Sequence, residues 1–168
     1  HQRHENGSWV YEMPNIGFNY RLTDIQSTLA SSQLRKLPNR ILRRREIAQI
    51  YDAAFADIPY VQPLKGEQNV SHAYHLYVVR VNFEKIGTDK VTFFSALRAE
   101  GIGVNVHYKP VHLQPFYRNR FKTKIGQCPI AEKAYEEIIS LPIFPRMTNA
   151  DAMDVINAVY KIVEAGYK

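Results

Sequence analysis

An α/β chain, with a small mixed sheet, helices packed on one face and long linker helices ahead of it, is the fold class this sequence predicts. Three observations carry it. Helical and strand-like segments follow one another as helix, helix, strand, helix, strand, helix, short strand, helix. Residues 74–83 are aromatic and β-branched, as a strand requires. Apolar residues recur at helical spacing through residues 39–56.

In order, residues 1–22 are polar and loop-like, with a turn signal at Asn6-Gly7 and a breaker at Pro14. Thr23 and Gln26 have the Thr-x-x-Gln spacing of a capping box, so a helix starts near Thr23. Ile25, Leu29 and Leu34 give it an apolar stripe as far as Lys36. Pro38 lacks the N–H that a helix interior needs, so a hinge is expected there, followed by a second helix over residues 39–56. That helix carries Ile41, Leu42, Ile47, Ile50, Tyr51, Ala54 and Phe55 at helical spacing. Consecutive helical residues point about 100° apart, so Arg43-Arg44-Arg45 reads as a solvated face. Residues 57–71 hold Pro59, Pro63 and Gly66 and form the best internal boundary. Residues 88–100 are amphipathic through Val91, Phe94, Ala96 and Leu97, with Gly101 as the stop. Residues 102–108 read as a strand, with Val104 and Val106 on one face and Asn105 and His107 on the other. A helix over 129–139 begins at Pro129, and residues 140–143 form a short strand. The last helix opens with Thr148-x-x-Asp151 and buries Met153, Ile156, Val159, Tyr160 and Val163.

A length of 168 residues suits one domain, or one domain with a helical extension. The hydrophobic and charged fractions, 45% and 23%, are those of a soluble globular protein. No apolar run approaches the ~20 residues needed to span a bilayer, and no signal-peptide pattern opens the chain. Cys128 is the single cysteine, which excludes an intrachain disulfide and fits a reducing cytoplasm. It reads as a small residue ahead of the Pro129 helix, not as a catalytic thiol. The net charge of +6 suits an anionic partner. A basic nucleic-acid-binding domain would show binding that falls steeply with salt. The basic residues are nevertheless spread out, no recognition motif is present, and a diphosphate-bearing small molecule accounts for the excess equally well. Neither nucleic acid nor membrane is an expected partner.

Chemistry concentrates in Gly17-Phe18-Asn19-Tyr20-Arg21-Leu22-Thr23-Asp24-Ile25-Gln26. A neutral donor, Asn19, and a planar cation, Arg21, stand just ahead of a helix N-terminus, a natural place for phosphate or carboxylate. The same residues also suit an ordinary capped loop with a solvated arginine. His107 and Tyr108 close the 102–108 segment just before Pro110, where a held backbone lets side chains reach a ligand. His72, His75, His107 and His112 lack the donor set and spacing of a zinc site, so no metal is expected. Pro115-Phe116-Tyr117-Arg118 suits either stacking on a uracil ring or closing a loop core.

The Gly17–Gln26 motif, followed by Ser32-Gln33-Leu34 and Arg43-Arg44-Arg45-Glu46-Ile47-Ala48, resembles the DegT/DnrJ/EryC1/StrS family of sugar-nucleotide aminotransferases. The run Glu100-Gly101-Ile102-Gly103-Val104-Asn105-Val106-His107-Tyr108-Lys109-Pro110-Val111-His112 resembles a second signature of that family. Tyr74-His75-Leu76-Tyr77 and Ser140-Leu141-Pro142-Ile143-Phe144-Pro145 are weaker matches. The resemblance runs in order from about Trp9 to the C-terminus. It implies the C-terminal portion of a pyridoxal-phosphate enzyme of aminotransferase fold type I. Residues 1–36 would end the large cofactor domain, 37–70 would be a linking helix and linker, and 71–168 the small α/β domain.

The implied reaction converts a keto nucleotide-sugar to an amino nucleotide-sugar, with glutamate as amino donor, for surface polysaccharide or glycan biosynthesis. The implied enzyme is a cytoplasmic homodimer, most similar to the subgroup acting at C4 of UDP-linked 4-keto-6-deoxy-N-acetylhexosamines. In this family the Schiff-base lysine lies N-terminal to the Gly-Phe-Asn-Tyr-Arg motif. No lysine precedes Arg21, so pyridoxal 5'-phosphate is expected to be held by a lysine outside this chain. This stretch alone is expected to be inactive and to contain no catalytic residue. The resemblance places Asn19 on the cofactor phosphate of the other subunit, where an amide donates without adding charge. It places Arg21 near an anionic part of the nucleotide-sugar, with an interface salt bridge as the competing role. Tyr20 is read as packing. His107 and Tyr108 would line the substrate pocket. The alternative is a stand-alone nucleotide-sugar-binding or assembly module without catalysis.

Overall fold

The computed structural model describes residues 15–18, 20–64, 66, 67 and 69–166, together with the backbone of 2–3 and 11–12. The chain divides into two compact units, His1–Lys36 and Leu37–Lys168. In the first, strands β1 (Gln2–Arg3) and β2 (Tyr11–Glu12) pair antiparallel. Helix α1 (Asp24–Phe55) begins there and ends in the second unit. Its start is the expected capping box. The Thr23 N–H donates to Gln26 Oε1 at 3.0 Å and the Gln26 N–H to Thr23 Oγ1 at 3.3 Å.

The hinge expected at Pro38 is absent: α1 is continuous through it. Proline removes one donor, the one that would meet the Leu34 carbonyl, and the helix tolerates that loss because its second half is anchored. Ile47, Ala48, Tyr51 and Phe55 are buried. The first-half apolar residues Ile25, Leu29 and Leu34 stand exposed.

The arginine triplet is the second correction. It is no solvated face: the three guanidiniums tie two connecting segments to α1, Arg43 one, Arg45 the other and Arg44 both. Arg43 donates to the Met147 carbonyl through Nε and Nη2, at 3.1 and 2.8 Å, and to Asn149 Oδ1. It also pairs with Glu46 at 2.9 Å. Arg44 donates to the carbonyls of Tyr74 and Ile143, both at 2.8 Å, and to that of His75 at 3.2 Å. Burial lowers the Arg44 pKa from its ordinary value. Arg45 donates to the His72 carbonyl at 2.9 Å and to Ser71 Oγ. The 100° fan that suggested solvent lets three neighbours reach two connections, residues 71–75 and 143–149, because guanidinium donors can satisfy carbonyls that no strand claims.

The sheet of the second unit has the order β3-β4-β5, with β3 (Val61–Pro63), β4 (Tyr77–Val81) and β5 (Ile138–Leu141). Both pairings are antiparallel where a mixed sheet was expected, with Val61 opposite Val81 and Val79 opposite Ile139. β3 comes from the stretch read as a boundary, and Ile58 and Val61 bury against the core. Pro63 is tolerated because β3 is an edge strand with no further partner for its missing N–H. Tyr77, Val79 and Val81 alternate inward on β4, and β5 is buried throughout.

An aromatic cluster joins helix to sheet. The Tyr51 ring stacks on Phe55 at 5.5 Å and lies 4.8 Å from Tyr77. Their hydroxyls donate to the Pro142 carbonyl at 2.9 Å and to Asp52 at 2.6 Å respectively. Burial pushes both phenols up from their ordinary pKa, with the hydrogen bond to Asp52 adding to the effect at Tyr77.

A short helix that the periodicity did not predict, α2 (Phe83–Ile86), is capped by Asn82 and stopped by Gly87 at φ 78°. Helix α3 (Lys90–Ala99) starts at Asp89, whose carboxylate accepts from the N–H groups of Val91 and Thr92. Those bonds and the Thr92 hydroxyl hold Asp89 below the ordinary carboxylate pKa. The apolar face expected through Val91 is displaced: Phe93 and Leu97 are buried, whereas Val91 is 74% exposed. Helix α4 (Pro115–Phe121) precedes α5 (Pro129–Glu137), and α6 (Asn149–Gly166) closes the chain. Thr148 and Asp151 cap α6 reciprocally at 2.7 and 3.1 Å, as their spacing predicts. Its buried face is Ala152, Val155, Ile156, Ala158, Val159 and Val163. Met153, expected inside, is one residue off that face and 46% exposed. Among the described residues no helix is long and apolar enough to cross a membrane.

Candidate functional site at the end of the His107 segment

Residues 102–108 do not form the expected strand. Asn105 makes one isolated antiparallel bridge to Ser140, with N–H to carbonyl distances of 3.1 and 2.8 Å. The bridge is not extended: residue 142, which would face Gly103 in the next hydrogen-bonded pair, is a proline with no N–H to donate. On the other side of the segment, Asn105 Oδ1 accepts the Val106 N–H at 2.8 Å. Val104 is buried, Val106 half-buried and Asn105 exposed, so the alternation of faces survives without the strand.

The bridge places the imidazole. His107 is half-buried, and its Nδ1 lies 2.8 Å from Ser140 Oγ. Ser140 is the one buried polar residue among those described, 4% exposed. Tyr108 follows across a cis peptide bond, 72% exposed, its ring perpendicular to the imidazole at 4.6 Å. The arrangement is a held imidazole edge beside an accessible phenol. It can donate or accept hydrogen bonds and offer a flat apolar face to a sugar ring.

The segment that follows is pinned at its far end. His112 Nε2 lies 2.8 Å from Glu132 Oε1. Glu132 also accepts the Gly126 N–H at 2.9 and 3.0 Å and the Cys128 N–H at 3.1 Å. The Gly126 bond first, and then His112, hold the Glu132 carboxyl below its ordinary range. Cys128 sits at the N-cap of α5, exposed. Phe116, Tyr117 and Phe121 pack on one another at 5.3 to 6.3 Å while Phe116 and Phe121 stay 61% and 58% exposed, so they close no loop core. No acidic residue occurs between Glu100 and Glu132, a span that carries Lys109, Arg118, Arg120, Lys122 and Lys124. The site segment is therefore strongly cationic and suits an anionic ligand.

In the first unit, Arg21 is exposed and makes no hydrogen bond or ion pair to any described residue. Phe18 and Tyr20 touch at 5.4 Å and are 84% and 85% exposed. Asn19 lies outside the described residues. His107 and Tyr108 are thus brought together, while Arg21 belongs to the other unit. Ser140 and the His112–Glu132 pair were missed from the sequence. Ser140 had a signal, a lone hydroxyl in the apolar run Ile138-Ile139-Ser140-Leu141; the His112–Glu132 pair, twenty residues apart, had none.

Residues 1–160 match the model of the DegT/DnrJ/EryC1/StrS aminotransferase family. The chain belongs to that family. It is 39% identical over 160 residues to the spore coat polysaccharide biosynthesis protein SpsC of Bacillus subtilis, covering 95% of this chain and 41% of SpsC. Among solved structures it is similar to PseC of Helicobacter pylori, an aminotransferase involved in the biosynthesis of pseudoaminic acid. That match has a TM-score of 0.80 at 32% identity and covers 96% of this chain and 43% of PseC. A Streptococcus pneumoniae sugar-aminotransferase structure in its PLP form matches with a TM-score of 0.80 at 28% identity, over 95% of this chain and 40% of the other. The chain spans about two fifths of the length of the curated relatives it matches. Its helices and three-stranded antiparallel sheet are those of the C-terminal portion of the aminotransferase fold.

Proposed function

We propose that this chain is the C-terminal portion of a pyridoxal-phosphate-dependent aminotransferase that converts a keto nucleotide-sugar to an amino nucleotide-sugar. Glutamate is the amino donor, and the enzyme works as a cytoplasmic homodimer in surface polysaccharide or glycan biosynthesis. The family match over residues 1–160 carries the reading. The involvement of SpsC in polysaccharide and of PseC in pseudoaminic acid biosynthesis supports the sugar substrate, and the PLP form of the pneumococcal structure supports the cofactor.

The residues present fit one end of that cofactor. Arg21 is an exposed guanidinium without a partner among the described residues, on a loop whose neighbours Phe18, Tyr20 and Leu22 are open to contact. The Asn19 amide suits a phosphate oxygen of the cofactor, and the Arg21 guanidinium an anionic group of the substrate beside it. The first lysine in the sequence is Lys36, inside α1, so the loop offers no amine for an imine. When bound, pyridoxal phosphate supplies the electron sink that lets an amino group move between carbon skeletons. Asn19 would donate its amide N–H to a phosphate oxygen. Arg21 would pair with an anionic group of the substrate, and His107 and Tyr108 would orient the sugar.

Asn19→Ala in the full-length enzyme is expected to weaken pyridoxal phosphate binding about tenfold, one lost charge-assisted bond, with the far-ultraviolet dichroism unchanged. Titration of the visible absorbance of the bound cofactor measures it. An unchanged dissociation constant would remove Asn19 from the phosphate site.

A further inference from the structure

We infer that Ser140 is a positioning residue that sets the tautomer of the His107 imidazole, with the ring proton on Nε2 and Nδ1 accepting. The site then presents one N–H donor to an oxygen acceptor of the substrate. The inference rests on the aminotransferase reading for its role in binding, but not for the tautomer itself.

The argument is an accounting of hydrogens. The Ser140 backbone is fully used: its N–H donates to the Asn105 carbonyl at 2.8 Å and its carbonyl accepts the Asn105 N–H at 3.1 Å. Its hydroxyl has a single partner among the described residues, His107 Nδ1 at 2.8 Å. Ser140 is 4% exposed on a strand buried throughout, so a hydroxyl hydrogen turned away from Nδ1 finds no acceptor among the described residues. Leaving that donor unmade costs on the order of tenfold in population. If Nδ1 carried the proton, it would face the hydroxyl as a second donor, and Ser140 would have to turn its hydrogen into that apolar surround. The favoured state has the hydroxyl donating and Nδ1 accepting. A neutral ring with an accepting Nδ1 carries its proton on Nε2. Nε2 has no partner among the described residues.

This assigns His107 a definite chemistry. An Nε2–H donor beside the exposed Tyr108 suits a carbonyl, hydroxyl or phosphate oxygen. It is not set to take a proton from carbon, so His107 orients the ligand.

The test uses the full-length protein with 15N-labelled histidine. Long-range 1H–15N spectra are expected to show His107 as the Nε2–H tautomer, and Ser140→Ala is expected to give a mixture of the two. An Nδ1–H pattern, or an even mixture in the unsubstituted protein, overturns the inference. In kinetics, Ser140→Ala should raise KM for the keto nucleotide-sugar about fivefold, with kcat and cofactor content held within about twofold. His107→Gln, whose amide can place an N–H near the Nε2 position, should bind substrate better than His107→Phe. An unchanged KM in Ser140→Ala overturns the positioning role. An enzyme that transaminates no keto nucleotide-sugar would instead defeat the aminotransferase reading, with the tautomer still read from the spectra.

Discussion

Phe93→Ala is expected to destabilise the Leu37–Lys168 unit by about 3–5 kcal/mol, the cost of emptying a closed aromatic site. Phe93 is 1% exposed and meets Phe83 edge to face at 5.5 Å. Leu97, one turn on, is fully buried. The ring thus closes the contact between α3 and α2, while α3 also packs on α6, so its removal leaves a space between helices. Val91→Ala on the same helix, at a site 74% exposed, should shift stability by less than about 0.5 kcal/mol. The pair, measured by chemical denaturation, reads the true apolar face of α3. Equal effects at the two positions would mean that the helix is rotated from the orientation described.

Arg44→Ala is expected to cost about 2–3 kcal/mol, reduced from a fully buried case because the side chain is half-exposed. One nitrogen, Nη1, serves the carbonyls of Tyr74, His75 and Ile143, which come from two separate segments. Removing it leaves part-buried acceptors unpaired and leaves each segment held to α1 by a single arginine, Arg45 for one and Arg43 for the other. Arg44→Lys should recover only part of the loss, since the lysine ammonium ends one bond short of the Nη1 position from which all three carbonyls are reached. Arg35→Ala, at an exposed position earlier on α1, serves as the comparison and should change stability by less than about 0.5 kcal/mol. Thermal unfolding of the same protein background measures all three. Matching midpoints for Arg44→Ala and Arg35→Ala would return the arginine triplet to the role of a solvated face.

Local chemistry was legible in the residues; long-range pairing was not. The capping boxes at Thr23 and Thr148 are statements about neighbours three residues apart, and both form as their spacing requires. Pro38 misled because propensity weighs one missing donor and ignores the anchorage of Tyr51 and Phe55 further along. The strand expected over 102–108 shrinks to the single bridge Asn105–Ser140, because periodicity reports faces and not whether a partner such as Pro142 can donate. Burial on α3 was misplaced because Phe93 and Phe94 are adjacent, and only the packing of α3 against α2 and α6 decides which ring turns inward. At the candidate site, His107 and Tyr108 were singled out by their position before Pro110 and by the family resemblance, and their role is a proposal. Ser140, which holds the imidazole, lies 33 residues further on and needed the fold to reveal it.

The most direct test of the account is to purify the full-length gene product with pyridoxal phosphate and supply L-glutamate and a UDP-linked 4-keto-6-deoxy-N-acetylhexosamine. The account predicts an amino sugar in place of the ketone and one 2-oxoglutarate released for each ketone consumed. Binding of the nucleotide-sugar without amine formation or 2-oxoglutarate, in a protein shown to hold the cofactor, would contradict it and leave a nucleotide-sugar-binding module.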